Sequence, residues 1–260
     1  MLEDSTPIEK PAGRSFYDMN WHKRYTQQAT WTRDLRAYLF EKAGLVNARR
    51  VLEVGCGTGA ILSGLATSAA LHGLDINPAA LAECQIHAPK ATLVQGDALS
   101  LPYSDASFDI VYCHFFFLWV HNPIHALLEM KRVTQPGGHI IAFAEPDYSN
   151  RVDKPEELIP LGKWQTEALK RQGADPSFGA RLAESFFEAG ITIHETGTIQ
   201  GVEREPSPEE WEMEWAVIES DLAGIVPEAD IQKMKRLDQQ ARARGERVLH
   251  VPTYFAWGQV

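Results

Sequence analysis

A short apolar strand that runs directly into three alternating glycines constrains this 260-residue chain more than any other feature. The strand spans residues 50–54, and the glycines are Gly55, Gly57 and Gly59. Such glycines permit a tight turn with positive φ and expose main chain without Cβ atoms, so a ligand can lie directly on the backbone. The next apolar residues recur at helical spacing: Ile61, Leu62, Leu65 and Ala69. We therefore expect a strand, a loop and a helix at the start of a doubly wound sheet, whose ligands bind at the carboxyl ends of the strands.

Two acidic residues follow the glycine loop, each at the end of a predicted strand. Asp75 ends the second strand and is placed to bind two ribose hydroxyls, and Asp97 comes just after the third strand, residues 91–95. The loop differs from the dinucleotide pattern G-x-G-x-x-G because its third glycine comes one residue early. Glu53 stands two residues before the first glycine, where a pyrophosphate-binding loop would gain nothing from an anion. These details disfavour a dinucleotide ligand.

Five motifs in a fixed order resemble the class I S-adenosylmethionine (SAM) methyltransferases, in their small-molecule branch. In chain order they read E-V-G-C-G-T-G, L-D-I-N-P, G-D-A, F-D-I-V and a P-G-G turn, and together they cover roughly residues 48–147. The resemblance implies an α/β fold with a Rossmann-like, seven-stranded doubly wound sheet whose last strand is antiparallel. It also implies S-adenosyl-L-methionine as the cofactor.

Carried over position by position, the resemblance implies a set of cofactor contacts. The glycine loop would lie under the methionine part of SAM, with Glu53 just before it. Asp75 would hold the ribose hydroxyls. The remaining contacts would be Ile76 on the adenine ring, Asp97 and Ala98 at the adenine amino edge, and His114 near the sulfonium. Tyr25, on a predicted N-terminal helix, is a further candidate for the methionine tail.

The acidic composition narrows the possible partners. The formal net charge is −10, so the composition does not indicate a basic surface for binding nucleic acid. A small-molecule substrate is favoured. The longest apolar run, around residues 115–120, is far too short for a membrane span, and the first residues contain no apolar signal region, so we expect no membrane association. The three cysteines have neither disulfide-scaffold nor metal-ligand spacing, which predicts a cytoplasmic location and no metal. A homodimer remains open.

The chain is expected to form one domain with two helical insertions. Residues 1–13 are predicted to be a flexible tail, and residues 14–148 the SAM-binding core, including a helix from Phe16 to Leu45. Residues 149–176 and 203–247 carry helical patterns after the fifth and sixth strands. Residues 177–202 return to the core, and residues 248–260 supply the last strand. Both insertions leave the sheet near the cofactor edge, so we expect a helical lid over the substrate.

Candidate catalytic residues lie where the fourth and fifth strands end. His114 and His121 flank an aromatic segment, and Glu145 ends the fifth strand; each can accept a proton or orient a nucleophile. Each also has a structural alternative: His114 can simply line the SAM pocket, His121 can start a helix, and Glu145 can bind backbone amides. The candidate substrate contacts are Trp31, Phe117, Asp147, Tyr148, Trp211 and Trp215. The last two tryptophans share one helical stripe, which is either a binding surface or the core of the lid.

Positioning can supply most of the rate of methyl transfer, because the methyl group of SAM is already activated and needs an aligned nucleophile in a site without water. After the fourth strand the chain reads Tyr112-Cys113-His114-Phe115 and lacks the Asn/Asp-Pro-Pro-Tyr/Phe pattern that the family uses for exocyclic amino groups of bases or glutamine. We therefore predict methyl transfer to a small, aromatic or partly apolar molecule, with O-, N- and C-methylation open. The alternatives are a SAM-binding regulatory or scaffold protein without turnover and, less favoured, a nucleotide-binding oxidoreductase.

Overall fold

A single large mixed sheet forms the centre of the molecule in the computed structural model, which describes residues 20–199 and 206–260. The strands of the described residues are β1 (Arg50–Val54), β2 (Ala70–Asp75), β3 (Thr92–Gln95), β4 (Phe108–Cys113), β5 (Thr134–Pro146), β6 (Val152–Lys154), β7 (Thr192–Ile199), β8 (Val248–His250) and β9 (Thr253–Gln259). Seven of them lie in the order β3-β2-β1-β4-β5-β9-β7. The pairs from β3 to β5 are parallel, whereas β9 runs antiparallel to both β5 and β7. The predicted seven-stranded sheet with an antiparallel last strand is confirmed.

Helices cover both faces of this sheet and build a separate cluster beside it. They are α1 (Trp21–Trp31), α2 (Arg33–Lys42), α3 (Pro78–His87), α4 (Pro123–Val133), α5 (Ile159–Arg171), α6 (Leu182–Glu188), α7 (Pro208–Leu222) and α8 (Glu228–Ala243). Helices α4 and α6 share one apolar core with the sheet, and α2 shares a second. Helices α5, α7 and α8 form a third core of their own. Within the described ranges, no helix is both long and apolar enough to cross a membrane.

Side-chain caps fix the starts of α3, α4 and α7. Asn77 accepts hydrogen bonds from the first turn of α3, and Asn122 accepts one from the first turn of α4, with proline as the first helical residue in both. Ser207 and Glu210 form a reciprocal capping box at the start of α7. These caps fix the entry of each helix, and α3 therefore begins directly beyond the end of β2.

The predicted helix after the glycine loop is not formed. Only Leu62–Gly64 makes one short 3-10 turn, and Leu65 already has extended backbone angles. The hydroxyl of Thr67 accepts a hydrogen bond from Ala69 N and so holds the chain in a turn just before β2 begins at Ala70. The prediction of a helix was wrong because Ile61 and Leu62 are buried while the chain around them forms a loop. Their apolar spacing therefore does not reflect one face of a helix.

The predicted N-terminal helix from Phe16 to Leu45 consists of two helices with a break at Thr32. Its first residues, 16–19, lie outside the described part of the chain, as does the predicted tail. Thr32 separates α1 from α2. Its backbone dihedral angles, φ −109° and ψ 8°, lie between the helical and the extended regions. Its hydroxyl makes no capping bond to α2, because it bonds a histidine far along the chain.

The cluster of helices α5, α7 and α8, called the lid after the prediction for these insertions, also carries a small second sheet. Strands β6 and β8 pair antiparallel, with Val152 opposite His250. The last core strand therefore begins at Thr253, and residues 248–250 belong to the lid. Arg247, just before β8, connects this sheet to α8: it donates to Asp153 on β6 at 2.9 Å, and its Nε donates to Asp238 on α8 at 2.6 Å.

Candidate cofactor and substrate site

The glycine loop between β1 and the 3-10 turn has the conformation that the sequence predicts. Gly55, Gly57 and Gly59 have φ values of 73°, 50° and 79°, in the region that L-residues rarely adopt. The amides of Gly55 and Cys56 both donate to Leu74 O, at 2.7 and 3.0 Å. The loop is thus tied to the end of β2, the strand that carries the first predicted acid.

The three glycines are needed for three different contacts. A Cβ on Gly55 would lie 2.4 Å from the ring of Phe116, and one on Gly59 would lie 2.7 Å from Cys84 Sγ on α3. A Cβ on Gly57 would meet only the ring of Tyr25, at 3.5 Å. Gly59 therefore permits close helix packing, whereas Gly55 and Gly57 present bare backbone to movable aromatic rings at the edge where a ligand would bind.

The two predicted acids lie at the ends of neighbouring strands. Asp75 accepts hydrogen bonds from Gly57 N at 2.8 Å and from Asn77 N at 2.9 Å. Asp97 is exposed just past β3, and one of its oxygens accepts a bond from Leu99 N. Ile76 has 67% of its surface exposed between them, and Ala98 is buried. A bare loop, a carboxylate held against it and an exposed apolar side chain fit the ribose and adenine of a nucleoside.

Helix α1 covers the glycine loop. His22 Nδ1 lies 3.0 Å from Thr58 Oγ1, and its ring stacks on that of His87 of α3 with a centroid distance of 3.4 Å. One turn later, the ring of Tyr25 lies over Gly57. Burial, together with the charges of Asp75 and Glu83, raises the pKa of Tyr25 to about 12. This phenol is therefore a neutral cover for the loop at physiological pH.

His22, Glu83 and His87 bring three potential metal-ligand atoms within 4.8 Å of one another. The two rings are nearly parallel, with an interplanar angle of 4°. Lone pairs of imidazole lie in the ring plane, so those of two stacked rings run side by side and do not converge on one point. The arrangement is that of a stacking contact between α1 and α3.

Glu53 is buried beneath the glycine loop, against the second core. It is 3% exposed and accepts a hydrogen bond from the hydroxyl of Tyr112 at 2.9 Å. Burial raises the pKa of Glu53 to about 8, although the Tyr112 bond and the charge of Arg36 lower it. A largely protonated carboxyl beneath the loop explains why an acid is tolerated here. No contact to a ligand follows from this placement.

Glu145, at the end of β5, holds the aromatic segment that follows β4. Its Oε1 accepts a hydrogen bond from Phe116 N at 3.0 Å, whereas its Oε2 is buried without a partner in the described residues. Burial raises the pKa of Glu145 to about 7, against the lowering effect of the amides of residues 116–118. Glu145 thus binds backbone amides, the alternative that its sequence position leaves open.

His114 is tied to the break between α1 and α2. Its Nε2 lies 3.0 Å from Thr32 Oγ1, and Arg36 donates both to that hydroxyl and to Ala29 O. Burial, and after it the charge of Arg36, lowers the pKa of His114 to about 3. The imidazole is therefore neutral at physiological pH.

An aromatic rim lies around His114. The ring of Phe115 meets the edges of His114 and Trp31, with centroid distances of 4.7 and 6.2 Å. Phe115 itself has φ 51°, which is strained for a residue with a side chain and is often found at functional sites. Tyr148 is partly buried, and burial raises its pKa, while the charges of Arg151 and Arg24 lower it.

Five other predicted site residues lie in different surroundings. Phe117 is fully buried in the first core, and Asp147 is buried and accepts bonds from its own turn, residues 149 and 150. Trp211 and Trp215 both donate to Asp238 within the lid core, which is the structural alternative for this stripe. His121 is exposed just before α4.

Sequence reasoning missed three residues of the site: His22, Thr32 and Arg36. Thr32 and His114 are 82 positions apart, so no local pattern connects them. Arg36 lies one helical turn after Thr32, so their spacing on a predicted helix is the only sequence pattern that places these two residues next to each other.

Comparisons with known proteins match this geometry. A family model described as a methyltransferase domain matches residues 52–142. A malonyl-[acyl-carrier protein] O-methyltransferase from Halorhodospira halophila is 32% identical over 209 residues, covering 75% of this chain and 68% of that protein. The chain belongs to the methyltransferase family. A demethylmenaquinone methyltransferase from Renibacterium salmoninarum is 35% identical over 59% of this chain and 65% of its own length.

Solved structures agree on the fold. A sarcosine dimethylglycine methyltransferase candidate from Galdieria sulphuraria superposes with a TM-score of 0.56 at 16% identity, covering 91% of this chain and 87% of that one. A methyltransferase candidate from Bacillus halodurans gives 0.59 at 16% identity, covering 86% and 97%. This methyltransferase is of the SAM-dependent, small-molecule type, and S-adenosylmethionine is its cofactor.

Proposed function

We propose that this methyltransferase acts on a small molecule with an aromatic or partly apolar body. The observation that carries the proposal is the aromatic rim of Trp31, His114 and Phe115. The residue that follows it, Phe116, lies against Gly55 of the cofactor loop. Flat aromatic walls favour a flat or apolar ligand over a highly charged one. The net charge of −10 also disfavours nucleic acid as the substrate.

In this proposal the cofactor supplies an activated methyl group, and the residues of the chain supply its position. Asp75 binds the ribose hydroxyls with the free lone pairs of its carboxylate, and Ile76 packs on adenine. Asp97 and Ala98 hold the adenine edge. Helix α1 closes the loop through the contact between His22 and Thr58 and the ring of Tyr25, which excludes water from the reacting atoms.

Proton removal by a histidine plays no large part in the proposed mechanism. A general base works best when its pKa is near the working pH, and the pKa of His114, about 3, is far below it. Glu145 is buried under the segment that it holds, and His121 is exposed outside the rim. The protein therefore contributes to the reaction mainly by aligning an acceptor that is already in its reactive form.

Incubation with methyl-labelled SAM and a metabolite extract of the source cells tests the proposal. We expect label to enter one small aromatic or partly apolar compound, identified by mass spectrometry. Asp75→Ala serves as a control that should lose the transfer. Tight SAM binding by calorimetry with no labelled product would instead support a regulatory or scaffold protein and contradict the proposed function.

A further inference from the structure

His114 is the end of a chain of hydrogen bonds that starts at a guanidinium. Arg36 donates to Thr32 Oγ1 and, at 2.5 Å, to Ala29 O. Thr32 Oγ1 in turn lies 3.0 Å from His114 Nε2. Thr32 is 1% exposed, so the hydroxyl has no competing water. The protein has therefore built a fixed polar contact on one nitrogen of this imidazole.

The donors and acceptors of this chain assign the proton on His114. A guanidinium can only donate, so Arg36 occupies one lone pair of the Thr32 oxygen, and the hydroxyl proton must go elsewhere. Its two possible acceptors are His114 Nε2 at 3.0 Å and Ala29 O at 3.3 Å. A carbonyl oxygen has two lone pairs, so Ala29 O can accept from Arg36 and from Thr32 together. The contact with Nε2 is the shorter of the two, and a hydroxyl proton directed to it places the imidazole proton on Nδ1.

The opposite edge of the ring is open to a ligand. Within residues 20–199 and 206–260, Nδ1 of His114 has no hydrogen-bond partner, and it is not among the polar atoms sealed from solvent. Burial and the nearby charge of Arg36 hold the pKa of His114 near 3, so the ring does not become a cation at physiological pH. A neutral N–H donor thus stands in the aromatic rim.

We propose that Arg36 and Thr32 are positioning residues that fix His114 as the Nδ1–H tautomer, so that it donates a hydrogen bond to an oxygen of the methyl acceptor. This inference rests on the proposed function and narrows its substrate class. The acceptor carries an ionised phenolate or enolate oxygen at or next to the atom that receives the methyl group, so no proton has to leave it during transfer. The donor orients that oxygen and, by hydrogen bonding to the charged form, favours its ionisation before the reaction. His114 is then a donor and not the base that its sequence position suggests.

The tautomer is tested without substrate, by NMR of the ¹⁵N-histidine-labelled protein, with the His114 signals assigned by comparison with His114→Asn. We expect a protonated Nδ1 and an unprotonated Nε2 from pH 5 to pH 9, with no titration between. Thr32→Val should lose this pattern and mix the tautomers, and Thr32→Ser should keep it. A protonated Nε2, or a titration near pH 6.5, would overturn the inference.

The role in transfer is tested by the initial rate of label incorporation from methyl-labelled SAM into the same metabolite extract. We expect Thr32→Val to lower this rate about 10- to 100-fold, less than the complete loss of a positioned donor, with SAM affinity unchanged. Thr32→Ser should restore the rate. His114→Asn should retain more activity than His114→Ala, because the asparagine amide keeps a donor close to the position of Nδ1. An equal loss in the two His114 variants would contradict the donor role.

The two proposals fail in distinguishable ways. Absence of any labelled product contradicts the proposed function, whereas the NMR spectrum still decides the tautomer. A labelled product without an oxygen at or beside its new methyl group upholds the function and overturns the inference. Thermal unfolding of Thr32→Val, compared with that of Thr32→Ser, shows whether a rate loss comes from a damaged fold; equal melting temperatures with unequal rates support positioning.

Discussion

The buried polar groups of the lid are saturated with partners, whereas those beside the cofactor edge are not. Asp238 in the lid accepts hydrogen bonds from Trp211, Trp215, Arg242 and Arg247. Burial alone would raise the pKa of Asp238, but the indole donors and the two arginines hold it below its usual range. This carboxylate stays charged because every oxygen is paired.

Near the cofactor edge the buried acids are only partly paired, and their pKa values are raised to about 7 and 8. Glu145 keeps one oxygen without a partner in the described chain, and Glu53 has a single side-chain bond, from Tyr112. Burial raises the pKa of both acids and lowers that of His114. Paired charges fix geometry, whereas neutral groups with spare bonding capacity cluster where ligands bind. The difference separates a fully paired structural network from a partly paired region next to the candidate site.

The largest expected effect is in the lid. Asp238→Ala should lower the free energy of unfolding by roughly 3–5 kcal/mol, because it leaves Arg247 buried without one of its carboxylates. Urea unfolding followed by tryptophan fluorescence measures the change. Asp230→Ala, an exposed site on the same helix, is the matched control and should cost at most about 1 kcal/mol. Similar losses in both variants would remove the distinction drawn for the lid.

The next effect concerns the pH dependence of stability and Glu145. Its pKa rises from 4.5 unfolded to about 7 folded, so its contribution is present below pH 4.5 and lost as pH rises through 7. The full change is on the order of 3 kcal/mol. Glu145→Gln should remove this pH dependence, measured as the difference in unfolding free energy between the two proteins from pH 4.5 to pH 8. Glu53 is present in both proteins, so its contribution to the pH dependence cancels in the difference. A difference that does not vary with pH would show that folding leaves the pKa of Glu145 unchanged.

A smaller effect is expected on cofactor binding. Asp75→Ala should weaken SAM binding by about 1.5–3 kcal/mol, or roughly 10- to 150-fold, because hydrogen bonds to a charged acceptor are lost. Calorimetric titration with SAM measures it. Asp75→Asn separates two causes, since the amide oxygen can still accept from Gly57 N and hold the loop. Unchanged SAM affinity in Asp75→Ala would contradict the ribose role of this residue.

Local chemistry made the sheet and the cofactor loop predictable, and the absence of a local signal hid the rest. Positive φ at Gly55 and Gly57 and the caps at Asn77 and Asn122 depend on residues within a few positions of each other. The bonds from Thr32 to His114 and from Arg247 to Asp153 join residues 82 and 94 positions apart. Only the folded chain brings such pairs together, so the tautomer of His114 and the lid network could not be predicted from the sequence.

The smallest expected effect tests whether paired charges, and not helix caps, dominate the lid. Ser207→Ala removes the hydroxyl that accepts from Glu210 N and should cost about 1 kcal/mol of unfolding free energy. Ser207→Thr keeps a capping hydroxyl and is the control; the same urea titration measures both. Since α7 also carries the two tryptophans that bind Asp238, a loss as large as that in Asp238→Ala would mean that the network depends on how α7 starts. In that case the capped start of α7 would determine the stability of the lid. The hydrogen bonds around Asp238 would then follow from the position of α7.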